Sequence, residues 1–271
     1  MPLGSDTIVS LVHSSSGVDH GSADLLAIAA MAEEAGAHVA ALAVASGPPP
    51  PIGDFFGQAY STWSLMWQNE NERVEALTGA VRRELAEHGR IADVQALHCI
   101  DSEISQEVGT RARYADLCVI GPRMLKDRPL AGRVLDGILF ASPTPALLMP
   151  ENTAADLAPK TVVVAWNAKL EASAALHKAM EIVLRAGDVR IVLVDPDATR
   201  KASGEQPGAD VATYLARHGV NATVDVLSSG GHEPGLVLQR HARDCGASLI
   251  VMGAYGHSRL RERVFGGTTQ W

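Results

Sequence analysis

Short apolar runs recur along the chain with longer mixed stretches between them. In the first half they are TIVSLVH from Thr7, HVAALAV from His38, LCVI ending at Ile120 and ALLM at Ala146–Met149. In the second half they are TVVVAW from Thr161, VRIVLV ending at Val194, ATVDVL ending at Leu227 and SLIVM ending at Met252. Runs this short, with few polar interruptions, predict strands covered on both faces. The stretches between them predict helices. EASAALHKAMEIVLRAG ends on Gly187, ADVATYLARHG closes at Gly219, and EPGLVLQRHARDCG has Pro234 near its start and Gly246 past its end. Proline just inside a start and glycine just past an end are helix boundary signals. Strands alternating with helices predict parallel sheets and an α/β architecture.

The pattern is written twice. RARYADLCVIG (Arg111–Gly121) aligns with RDCGASLIVMG (Arg243–Gly253) without a gap, and AGAHVAALAV (Ala35–Val44) with AGDVRIVLV (Ala186–Val194) with one. The opening strands at Thr7 and Thr161 also correspond. So long a period means domain duplication rather than a solenoid. We expect two tandem doubly wound, Rossmann-like parallel-sheet domains, residues 1–150 and 159–271, joined through PENTAADLAPK. The first copy adds a last strand, Ala146–Met149; the second, which ends at Trp271, is expected to lack its last strand.

Composition narrows the class. A length of 271 residues suits two domains, and 46% apolar residues with only 4% aromatics predict an aliphatic core. A net charge of −8 argues against duplex nucleic acid as a partner, because that affinity rests on Lys and Arg contacts to phosphate. Cys99, Cys118 and Cys245 have no CxxC spacing and read as buried, reduced thiols. MPLGSD has no basic leader character and TIVSLV is too short for a membrane span, so the expected location is the cytoplasm, with no membrane partner. Within the first copy, Ser46–Trp67 is an insertion with four consecutive prolines, which exclude a regular helix or central strand there. Its Phe55, Phe56, Tyr60, Trp63 and Trp67 are expected to pin a long surface loop and the start of the next helix.

The chemistry concentrates in GAYGHSRLRERVFGGTTQW, Gly253–Trp271, directly after a buried strand. In an open parallel sheet, ligands bind beyond the carboxyl ends of strands where strand order reverses. Gly253 and Gly256 let the backbone turn sharply and approach a ligand. Ser258 suits a helix N-cap, so the free amides and dipole of the following RLRE turn favour an anion. Arg259 and Arg263, four apart, share one face.

The spacing Gly, two residues, Gly, nine residues, Gly, at Gly253, Gly256 and Gly266, resembles the nucleotide-binding motif of the universal stress protein family. The duplicated unit is similar to that family in element order, so the resemblance covers nearly the whole chain as a tandem universal stress protein. It implies a stress-response protein whose second domain holds ATP or AMP, with or without Mg2+. The implied contacts are Asn167 after the first strand of that copy, Val194 at the end of its second, and the backbone of Gly253, Gly256, His257 and Ser258. Arg259, Gly266, Gly267 and Thr268 complete the implied set. The chain departs from the family in two places. Asn167 stands where an acid is usual, followed by Ala168 and Lys169 where Gly and Ser are usual, and Gly267 replaces a Ser or Thr.

The first copy departs further. Met124 replaces the second glycine, Gly132 takes the third-glycine place, Pro122 removes a backbone donor, and His13 replaces the acid. It is expected to bind no nucleotide in the usual way. His13, His20 and His98 with Asp101 lack the spacing of a metal motif, and no catalytic signature is present. The expected function is therefore non-catalytic nucleotide binding, with a further protein partner left open. Two alternatives stay open: a structural or protein-interaction stress protein without nucleotide, and a slow ATPase. The unpaired strand Ala146–Met149 predicts a homodimer through antiparallel pairing, to be separated by proline at Leu147.

Overall fold

β-branched and aliphatic residues extend into strands because their side chains fit a pleated surface covered on both sides. The computed structural model describes residues 7–13, 22–53, 57–151, 157–196 and 206–254. It divides into two units, Met1–Ala155 and Asp156–Trp271. The first unit runs β1 (Thr7–His13), α1 (Ser22–Ala35), β2 (His38–Gly47), α2 (Gln58–Glu87), β3 (Ala92–Ile100) and α3 (Ile104–Ala112). It continues with β4 (Leu117–Ile120), α4 (Pro122–Lys126), α5 (Arg128–Ala141) and β5 (Ala146–Leu148). Its strands are all parallel in the order β3-β2-β1-β4-β5.

The second unit runs β6 (Thr161–Ala165), α6 (Leu170–Lys178), α7 (Met180–Arg185), β7 (Asp188–Val194), α8 (Ala209–Arg217), β8 (Ala222–Leu227), α9 (Pro234–Asp244) and β9 (Leu249–Val251). Its sheet is parallel in the order β8-β7-β6-β9, repeating the first four-strand order of the first unit. The doubly wound α/β expectation holds for both units. A fifth strand in the second unit would fall among residues 255–271, outside the described residues.

Alternation along β7 explains how the second sheet is covered. Val189, Ile191 and Leu193 face one layer with Leu176, Val183, Val211 and Leu215, while Val192 and Val163 face α9 through Leu238 and Ala242. The core is aliphatic, with no aromatic ring among its buried residues in the described part of the chain. The helix expected over Glu171–Gly187 is divided. Ala179 leaves the helical region at φ −90° and ψ 3°, and α7 restarts with the Val183 N–H donating to Ala179 O. Cys99 and Cys118 are buried thiols, with burial raising their pKa to about 11 and about 12, whereas Cys245 is only half-buried.

The insertion is more helical than expected. After the prolines the chain enters α2 at Gln58, a helix of 30 residues and about 45 Å. Its buried residues, Val74, Thr78, Val81 and Leu85, all lie in the second half, so the first half overhangs the sheet. The aromatics do pin this part to the loop. The Trp63 indole donates to Pro48 O at 2.8 Å, the Trp63 and Trp67 rings stack at 5.2 Å, and Trp67 lies on His98 at 3.9 Å. Burial pushes the His98 pKa below its ordinary value, with Glu70 opposing the shift. Phe55 and Phe56 lie outside the described residues.

Two glycines bring α3 and α5 together. A Cβ at Gly109 would stand 2.7 Å from Gly137 O, and one at Gly137 would overlap Ser105 O and lie 3.1 Å from Ser105 Cα. Only hydrogen fits at this crossing.

Candidate functional site

The order of each sheet creates one place where neighbouring connections leave in opposite directions. In the second unit this is the gap between the carboxyl ends of β6 and β9. The chain leaves β6 through Trp166, whose N–H donates to Val192 O, and reaches Asn167. The Asn167 side-chain Oδ1 accepts the Lys169 N–H at 3.1 Å, an Asx turn that leads into α6. Ala168 between them has φ 57°, a left-handed conformation that favours glycine.

Opposite lies Gly253, just after β9. A Cβ there would stand 2.6 Å from Ala172 N and 2.6 Å from Glu171 C. Both are backbone atoms of the first turn of α6, so Gly253 lies directly against that turn. The chain leaving β9 therefore passes beside the amino end of α6 and the Asn167 turn. Gly256, His257, Ser258, Arg259, Gly266, Gly267 and Thr268 lie outside the described residues.

Beyond β6, the strand ends carry a polar row that the sequence pattern alone did not single out. Val194 is half-buried at the end of β7, in register with Leu227. Asp195 follows with φ 44°, and its Oδ1 accepts the Ser229 N–H at 3.0 Å. Hydrogen bonds from the Ser229 side chain and backbone hold the Asp195 pKa below the usual carboxylate value. Ser228 and Ser229 lead into Gly230 and Gly231, both in the left-handed region. The available signals are Asp-Pro after one strand and Ser-Ser-Gly-Gly after the next. The described residues thus bring Asn167 and Gly253 to adjacent strand ends, with Val194 one strand further along.

The equivalent place in the first unit is built differently. Gly121 follows β4, and Pro122 opens α4, whose Met124 is buried. Gly132 lies inside α5, so its assignment to a third-glycine loop position is corrected: an intact helix replaces the loop. A Cβ at Gly121 would meet the Asp24 side chain of α1, 2.7 Å from its Cβ. His13 ends β1, while His98 stacks beneath α2, and His20 is outside the described residues. Asp101 instead accepts the Ser46 hydroxyl at 2.7 Å and faces Arg133 at 3.4 Å. Among the described residues no three metal-binding side chains gather. Nor is any helix there long and apolar enough to cross a membrane.

No family model matches this chain, and no curated protein does. Solved structures do match. A universal stress protein from Archaeoglobus fulgidus DSM 4304 aligns with a TM-score of 0.59 at 16% identity, over 89% of this chain and 85% of that one. A putative universal stress protein from Pseudomonas aeruginosa UCBPP-PA14 aligns with a TM-score of 0.51 at 13% identity, over 90% and 81%. The fold is that of the universal stress proteins.

Proposed function

We propose that this chain, with its universal stress protein fold, is a tandem member of that family acting in the stress response. In this reading its second domain binds ATP or AMP without turning it over. The observation that carries the reading is Gly253 against the first turn of α6, at the point where strand order reverses. In the sequence Gly256 and Gly266 follow that contact, and the backbone amides of glycine-spaced turns suit phosphate. Asn167 supports binding over chemistry. An amide carbonyl accepts or orients, but it is no general base at neutral pH.

Calorimetric titration with ATP and magnesium tests this, together with anion-exchange analysis of heat-denatured protein for released nucleotide. We expect one nucleotide per chain. Gly256→Val is expected to remove uptake while unfolding stays cooperative, since a branched side chain blocks close backbone approach. Two sites per chain, or unchanged ATP affinity in that variant, contradicts the assignment.

A second reading concerns self-association. β5 pairs with β4 along one edge, Cys118 with Ala146 and Ile120 with Leu148, and among the described residues no strand covers its other edge. An uncovered apolar edge is a template for a second copy, and we propose a homodimer through it. The register changes the test. The Met149 N–H donates to Ile120 O and Pro145 O accepts from Cys118, so alternate residues 145, 147 and 149 face β4. Leu147→Pro would damage the domain itself, whereas Leu148→Pro strikes the outer edge. Light scattering is expected to show dimers for the native chain and monomers for Leu148→Pro. A native monomer at micromolar concentration rules the dimer out.

A further inference from the structure

The duplication supplies an internal comparison at the two strand-end glycines, Gly121 after β4 and Gly253 after β9. Gly253 meets helix backbone and, at 2.9 Å, the Glu171 Cβ, but no carboxylate atom is among its three nearest neighbours. Gly121 meets a carboxylate: the space where its Cβ would stand is taken by Asp24, including Oδ2. That same oxygen accepts the Arg123 N–H at 2.8 Å, and the Arg123 Nε stands 3.9 Å from Oδ1. The Asp24 side chain is only 14% exposed, so it is held inside the cleft and not above it.

Neighbouring charge is matched in the same way. Lys126 pairs with Glu151. Burial pushes the Asp24 pKa up, against the Arg123 amide and guanidinium, and Glu151 and Lys126 act in opposite senses. Burial alone disfavours a charged group. Asp24 is retained in this place with a backbone donor and a cation directed at it, an arrangement that suits a bound oxyanion equally well.

We propose that Asp24 is a built-in anion: its carboxylate fills the space over Gly121 and takes the Arg123 amide, closing the first domain's strand-end cleft to any external phosphate. The closure belongs to the chain's own side chains and does not depend on nucleotide binding by the second domain. It also separates the two copies functionally. At Gly121 a carboxylate oxygen takes the space, whereas at Gly253 the nearest atoms are the backbone and Cβ of the α6 first turn.

The test is chemical rescue. Asp24→Ala removes one carbon and two oxygens, the heavy atoms of formate. We expect the unfolding midpoint of the first domain to fall by several degrees in this variant. Formate, substituted for chloride at equal ionic strength, should restore most of the loss and leave the native chain unmoved. Asp24→Asn keeps an acceptor for the Arg123 N–H, so it should retain most of the stability and ignore formate. If Asp24→Ala does not fold alone, its refolding yield in formate against chloride gives the same answer. Native stability in Asp24→Ala overturns the proposal, and so does a loss that formate does not reverse.

Discussion

Gly137→Ala is expected to destabilise the first domain by about 1–3 kcal/mol, the usual range of overpacking. The new methyl would overlap Ser105 O and lie 3.1 Å from Ser105 C and Cα, all of them α3 backbone. A side chain can rotate away from such a contact; a helix backbone cannot, and Gly109 on the facing helix is equally tight. The domain must separate α3 from α5, uncovering Val108, Val134 and Ile138. The control lies in the same helix. A methyl added at Gly132 would have nothing within 4 Å, so alanine there should stabilise α5 by about 0.5–1 kcal/mol through helix propensity. Chemical denaturation of both variants should move in opposite directions. Equal effects would mean that the close approach of the helices is not what Gly137 provides.

Gly253→Ala is a packing lesion of the same kind in the second domain, though at a strand end, and its effect should be double. A Cβ 2.6 Å from Ala172 N and from Glu171 C forces α6 away from β9. We expect a stability loss of about 2–3 kcal/mol from that displacement. If the cleft holds nucleotide, ATP affinity should also fall, on the order of tenfold or more, because about 1.4 kcal/mol of misplaced contact is a factor of ten. Denaturation reads the first effect and calorimetry the second. Gly256→Val should show the second without the first, which separates a packing glycine from a ligand-facing one. A Gly253→Ala chain with native stability would mean that α6 does not rest on this glycine.

Much of this architecture is legible in the sequence because local and global signals agree. The apolar runs at Thr7, Thr161 and Ala222 are short, β-rich and bounded by turn residues, and each forms a strand. Gly219 and Gly246 end helices with positive φ as their positions suggest. The duplication is legible for the same reason, since equivalent strands carry equivalent patterns. What is not legible depends on contacts distant in sequence. Asp24 looks like an ordinary first-turn helix acid; its partner Arg123 is 99 residues away. Gly132 resembles a loop glycine when the segment is aligned by spacing alone, yet Asp127 accepts the Leu130 N–H and starts a helix around it. The prolines at 48–51 suggest a long loop, but their influence ends before Gln58. Trp63 and Trp67 then lie one turn apart and anchor the overhang.

That anchor gives each half of the molecule its own optical signature. Trp63 and Trp67 are close enough for their strong indole transitions to couple, so the first domain should contribute an exciton couplet to the far-ultraviolet circular dichroism. Trp166, placed against the core of the second domain, has no such neighbour among the described indoles. His98, stacked on Trp67 at 3.9 Å, adds a quencher to that signal, and the quenching should strengthen only in acid, where the buried imidazole becomes protonated. Emission and dichroism therefore separate the melting of two α/β units that backbone signals alone would report as one.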